Sequence, residues 1–306
     1  MKTPYAWQGR RALPHACLSL ALFLSLSGCC GGAEAANPAA YVLPDTEVQT
    51  VPVQLEGRTY QVYVGLPEGY AAHPERRYPL LLAVDAPYAF PLLRSITRRV
   101  SDHGKALREH VLVGLPYAQG EAAAPSRNRD YTPSLRSDLP GEAYGGAPAM
   151  RRFIAEQLLP WLGRQYRINM QDKTFIGHSY GGLLGTELLL NSPQLFERHV
   201  LSSPSLWFER GLMLRRAETL ASHPKPWPTQ VLLLAGARER PGRRREMGDD
   251  IVGDMQRFEQ LLRRAGMQTR QLSAHVVADE DHLSVAPSAY TRGLRWAFGR
   301  TPSDKD

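Results

Sequence analysis

Cysteine is nearly absent from this chain of 306 residues. There are three, Cys17, Cys29 and Cys30, and all lie within the first 30 positions. The remainder therefore has no disulfide, no thiol nucleophile and no cysteine metal site. Long apolar runs are missing too: no stretch reaches the roughly 18 residues that span a bilayer. The body contains neither an internal repeat nor a low-complexity tract. What remains is ordinary globular composition, with 43% hydrophobic and 22% charged residues. The formal charge of +7 is carried mostly by arginine.

The first 36 residues read as an export signal with a linker. Lys2, Arg10 and Arg11 give a basic start, and 16–27 (ACLSLALFLSLS) supplies a short apolar core. Leu26-Ser27-Gly28-Cys29 resembles a bacterial lipobox, which would make Cys29 the lipidated first residue of a periplasm-facing protein. Cleavage after Ala33-Glu34-Ala35 would instead release a soluble periplasmic form. Residues 37–306 are expected to form a single α/β domain.

Two alternating stretches, Glu47 to Leu55 and Arg58 to Gly65, flank Glu56-Gly57 and predict an antiparallel hairpin. Short, uniformly apolar runs then recur at Leu80 to Val84, His110 to Leu115, Thr174 to Gly177, His199 to Ser203, Val231 to Gly236 and Gln271 to Ala278. Such runs suit strands covered on both faces. Helical spacing separates most of them, over Ala149 to Tyr166 and Asp249 to Ala265 among others. The alternation predicts a mostly parallel sheet with helices on both sides.

Between one such strand and the helical run LLGTELLL stands Gly177-His178-Ser179-Tyr180-Gly181, a G-x-S-x-G pattern. A sharp strand-to-helix turn lifts the serine oxygen above the sheet, and the glycines leave room for it. Ser179 is thus a candidate nucleophile, with Tyr180 N–H as an oxyanion donor. His178 is expected to point away from the serine oxygen.

A nucleophilic serine needs a base, and the base an orienting acid, in the chain order Ser, acid, His. His199 and His275 sit inside strand runs and His223 in a proline-rich loop, so these read as structural or surface residues. His282, after the last strand, is the candidate base. Glu239, just beyond Val231 to Gly236, is the favoured acid. Asp249 and Asp250 remain alternatives, as does a Ser-His dyad with no strong acid.

Loops at the carboxyl ends of an open α/β sheet form one ligand face. Arg127, Arg129, Arg238, Arg240 and Arg243 to Arg245 lie in such segments and predict a basic entrance suited to anionic, oxygen-rich ligands. Trp207 is placed to stack on an aromatic ligand. Several pieces together resemble the esterase D-like family of α/β-hydrolases, and within it the periplasmic ferric-enterobactin (trilactone siderophore) esterases. They are RNRDYTP (127–133), GHSYGG (177–182), SPSLW (203–207), GARE (236–239) and DHLSV (281–285).

The resemblance spans about residues 45 to 299. It implies an α/β-hydrolase fold, Ser179 and His282 as nucleophile and base, and a siderophore-facing region at Arg127 or Arg129. It also implies hydrolysis of a catecholate siderophore's ester bonds, with no resident metal or cofactor and iron arriving within the substrate. Asp85-Ala86-Pro87 departs from the family's usual Asp-Gly. Since Pro87 has no N–H, the second oxyanion donor is Ala86 or Tyr88. A general carboxylesterase on the same fold and a non-catalytic siderophore-binding lipoprotein are the competing expectations.

Overall fold

The computed structural model describes residues 40–101, 106–139, 141, 143–241 and 250–300. The export signal with Cys29, Asp249 and Arg243 to Arg245 lie outside the described residues. From Val42 onward the described residues form one compact unit.

The chain enters through β1 (Thr46–Thr50) and β2 (Gln61–Gly65), paired antiparallel. Both are shorter than expected. Pro52 has no N–H to give the ladder, so pairing lapses and resumes as a single bridge, Leu55 to Arg58, around the Glu56-Gly57 turn. Six further strands follow: β3 (Tyr78–Val84), β4 (Val111–Leu115), β5 (Ile168–His178), β6 (Arg198–Ser202), β7 (Gln230–Gly236) and β8 (Leu272–Val277). The sheet order is β1-β2-β4-β3-β5-β6-β7-β8, with β2 antiparallel to β4 and β3 to β8 all parallel. This is the expected α/β-hydrolase arrangement.

Helices α1 (Ala86–Ser101) and α8 (Val285–Phe298) cover one face of the sheet and share a core with Leu81, Ile176, Val200 and Leu234. The other face is covered by α2 (Ala123–Tyr131), α3 (Ala147–Phe153), α4 (Leu159–Gln165), α5 (Tyr180–Asn191), α6 (Phe208–Ala221) and α7 (Ile251–Arg264). The expected single helix over 149–166 is divided by a π turn at Ile154–Leu158. Pro160 supplies no N–H one turn later, and Leu159 N–H reaches back to Ile154 O instead. Among the described residues no helix is long and apolar enough to cross a membrane.

Two histidines are built into this core uncharged. His199 is fully buried beside Phe175 and Phe196, with ring centroids 6.2 and 5.7 Å away. Neither of its ring nitrogens has a partner among the described residues. Burial pushes its pKa down to about 3. His110 stacks on Phe298 at 4.2 Å, and burial lowers it to about 4.

Unfolded, both would titrate near the ordinary histidine value of about 6.5. The unfolded chain therefore binds more protons once pH falls below that value, and stability declines from about pH 6.5 down toward 4. The expected slope is on the order of 1.4 kcal/mol per pH unit for each histidine. Denaturant titrations at pH 6 and pH 5 measure it, and His199→Phe should remove one histidine's share, about a third of the total because burial lowers His178 to about 3 as well. A slope unchanged in that variant would show that His199 does not take part.

Candidate active site

The carboxyl ends of β3 to β8 lie along one edge of the sheet, and the residues that follow them converge there. Asp85 follows β3, Ser179 follows β5, Ser203 follows β6, Glu239 lies beyond β7 and His282 beyond β8. Three of these, Asp85, Ser179 and Ser203, hold left-handed backbone at φ 56°, 58° and 41°. Strain of this kind persists only where the surroundings impose it.

At Ser179 the imposition is steric. β5 turns at once into α5, and a Cβ on Gly177 would sit 2.3 Å from the Gly181 carbonyl oxygen. That neighbour is backbone and cannot yield. Gly177→Ala should cost roughly 3 kcal/mol of stability and remove activity along with the turn. Denaturant unfolding measures this, and a folded, active alanine variant would contradict the account.

Ser179 Oγ lies 3.0 Å from His282 Nε2, and His282 Nδ1 lies 2.8 Å from Glu239 Oε2. Glu239 is buried, at 7% exposure. Its other oxygen, Oε1, accepts from Ser203 Oγ at 2.7 Å and from Gly236 N–H at 2.6 Å. The acid is therefore held from both sides, and the Ser–His–acid line is complete in a single geometry. The His282 loop is equally fixed. Asp281 Oδ1 accepts from the Leu283 and Ser284 N–H groups, both at 2.9 Å, and Arg238 N–H donates to Glu280 O at 3.0 Å. Asp250, an alternative acid by sequence, caps α7 by accepting from Gly253 N–H at 2.8 Å.

The candidate oxyanion donors stand at two helix starts. Tyr180 is the first residue of α5 and Ala86 the first of α1, so neither N–H has an intrahelical acceptor. Tyr88 N–H is committed to Asp85 O at 3.0 Å, which leaves Ala86 of the two candidates. His178 does turn aside. Its Nδ1 is 3.0 Å from Ser202 Oγ, and its ring lies 4.7 Å from that of His282. Burial, with the charges of His282 and Arg127 adding to it, lowers the His178 pKa to about 3, so no second cation competes beside the base.

The arginines divide. Arg127 pairs bidentately with Asp85, Nε to Oδ1 at 2.7 Å and Nη2 to Oδ2 at 3.0 Å. Arg129 does not face a ligand as expected: its donors are taken up by Asp130, Glu121, Ser126 and Tyr60. The reason is that 123–131 is a helix rather than a loop, so alternate arginines on it face different surroundings. Arg238 and Arg240 are exposed. Trp207 packs beside Tyr180 at 6.1 Å and lines an open cleft of about 200 Å³ with Arg136 and Arg210.

This set of atoms, a hydroxyl on an imidazole on a buried carboxylate beside two free N–H groups, is equipped for acyl transfer. The model of the family described as "Putative esterase" matches residues 54–261. The chain belongs to this esterase family.

Its similarity to the ferri-bacillibactin esterase BesA of Bacillus subtilis is 30% identity over 274 residues, covering 85% of this esterase and 91% of that protein. The siderophore enterobactin esterase of Emericella nidulans is 28% identical over 240 residues, 69% of this esterase and 79% of that one. Among solved structures, the BES protein from Bacillus cereus superposes with a TM-score of 0.71 at 25% identity, covering 85% and 97% of the two chains.

Asp85, Ser203 and Ser205 are part of the site without having been singled out for it. Ser205 Oγ stands 3.5 Å from Ser179 Oγ. A charged residue closing the apolar run LLLAV was the available signal for Asp85. The two serines were marked only as part of the SPSLW segment, because their contacts arise from the register of β6 against β5 and β7.

Proposed function

We propose that this esterase uses Ser179 to hydrolyse the backbone ester bonds of a catecholate siderophore such as ferric enterobactin, on the periplasmic side of an inner or outer membrane. The observation that carries the chemistry is the continuous Ser179–His282–Glu239 hydrogen-bonded line. The siderophore reading is supported by the similarity to siderophore esterases and by the cleft that Arg136, Arg210 and Trp207 line.

In this mechanism His282 Nε2 takes the Ser179 proton as Oγ attacks the seryl ester carbonyl. The oxyanion rests on the N–H groups of Tyr180 and Ala86. His282 then protonates the departing alkoxide oxygen, leaving an acyl-enzyme. A water gives its proton to His282 and attacks the acyl carbon, and Ser179 recovers its proton as the acid product leaves. Glu239 stabilises the transient imidazolium and fixes its Nδ1–H. Iron enters as part of the substrate. Export and lipid attachment at Cys29 belong to the same reading, as an enzyme held where imported siderophore arrives.

The test is mass spectrometry of products from ferric and iron-free enterobactin incubated with protein lacking the leader. Linear trimer, dimer or monomer is expected. Equal turnover of short p-nitrophenyl esters and siderophore would favour a general carboxylesterase. Tight siderophore binding with no turnover would favour a carrier.

A further inference from the structure

Asp85 is a buried carboxylate that the reaction as written does not use. It stands at the end of β3 with left-handed backbone, and the next residue supplies the second oxyanion N–H. Its own N–H donates to Tyr131 Oη at 3.1 Å, and its carboxylate receives Tyr117 Oη–H at 2.8 Å beside the two bonds from Arg127. Arg127 does not stop at Asp85. The same Nη2 donates to the carbonyl of His178 at 3.3 Å, one residue before the nucleophile. Its guanidinium also lies over the rings of Tyr131 and Tyr180, 5.7 and 5.3 Å from their centroids.

The end of β3 and the serine turn are in direct contact. A Cβ on Gly181 would meet Val84 Cγ2 at 2.9 Å and Asp85 Oδ2 at 3.1 Å. The two oxyanion donors thus come from two separate strand ends, and one cation bonds to both.

We propose that Asp85 and Arg127 act as a positioning pair that sets Ala86 N–H against the Ser179 turn, so that Arg127 assembles the oxyanion hole as well as facing the substrate. This rests on the serine-esterase reading. The peptide that carries Ala86 N–H is tied to α1 through its own carbonyl, Asp85 O, which accepts from Tyr88 and Ala89 N–H at 3.0 and 2.9 Å, and the bidentate ion pair ties this strand end to the serine turn. Without the pair, this strand end and the Ala86 N–H it carries can shift relative to the Ser179 turn, away from the position the oxyanion will occupy. Loss of one such donor costs about 10² to 10³ in kcat, and a displacement of about 1 Å costs about 10².

The experiment compares Arg127→Lys, Arg127→Met, Asp85→Asn and the Asp85→Asn/Arg127→Met double variant. The substrate is a small uncharged p-nitrophenyl ester, which offers no anionic group to an arginine. Arg127→Met and Asp85→Asn should each lose about 10²-fold in kcat with KM nearly unchanged. The double variant should be no slower than the worse single one, because the pair acts as a unit. Arg127→Lys should recover part of the rate. Full activity on the neutral ester, with loss confined to siderophore KM, would overturn the proposal, and so would additive losses in the double variant.

The second measurement is the rate at which a neutral fluorophosphonate labels Ser179, read by mass spectrometry, with melting curves to verify folding. Its phosphoryl oxygen enters the oxyanion hole whatever ester the protein prefers. Slower labelling in folded variants supports the pair, and equal labelling overturns it. No labelling of the unsubstituted protein would overturn the serine-esterase reading itself, and the pair with it.

Discussion

Ser179→Ala is expected to lower kcat by about 10⁶-fold on any ester the protein turns over, with folding and ligand affinity retained. The size follows from the geometry. His282 Nε2 has one substrate-side partner, the serine oxygen at 3.0 Å, and without it the proton transfer has no nucleophile to activate. Ser205 Oγ is nearby, but its 3.5 Å contact is to Ser179 itself and no bond links it to His282. Stopped and discontinuous assays on enterobactin and on p-nitrophenyl acetate, with tryptophan fluorescence for binding, measure both quantities. Residual activity above about one part in 10³ would mean that another group attacks.

The second large effect belongs to Glu239→Gln, for which about 10⁴-fold in kcat is expected, the magnitude found when a triad carboxylate becomes an amide. The surroundings of Glu239 dictate how the amide must sit. Oε1 accepts from both Ser203 Oγ and Gly236 N–H, so the glutamine carbonyl oxygen takes that place. Its NH₂ then faces His282 Nδ1, and an NH₂ can only donate. His282 is forced to accept at Nδ1 and to carry its proton on Nε2, where it cannot receive one from Ser179. KM should change little, because Glu239 is buried and does not meet the substrate. Proton NMR of the imidazole would show the tautomer change directly. A variant within tenfold of the parent would mean that the dyad alone suffices, the outcome the sequence left open.

The strands were legible because each central one is apolar without alternation, and only a strand covered on both faces can afford that pattern. The serine was legible for a local reason too: its glycines and its strand–helix setting lie within eight neighbouring residues. His282 followed from chain order, and Asp281 and Ser284 turn out to be the fasteners of its loop. Helix α2 was not legible. Its residues AAPSRNRDY have no apolar stripe, and it is held by tertiary contacts such as Tyr60 Oη on Asp130 at 2.9 Å. That hidden helix is why Arg127 and Arg129 looked equivalent.

By itself the sequence determined the mostly parallel sheet with its helices and pointed to Ser179 and His282 as candidates, since each depends on contacts close along the chain, on chain order or on periodicity. Only the tertiary structure shows that Glu239 rather than Asp250 bonds to His282, that Tyr88 N–H is committed to Asp85 O, and that Arg127 and Arg129 have different partners. The bond to His282 spans 43 residues of chain and that of Arg127 to Asp85 spans 42, whereas Tyr88 meets Asp85 only three residues away. Hydrogen bonds discriminate between such meetings to within a few tenths of an ångström, a tolerance that no spacing along a sequence encodes.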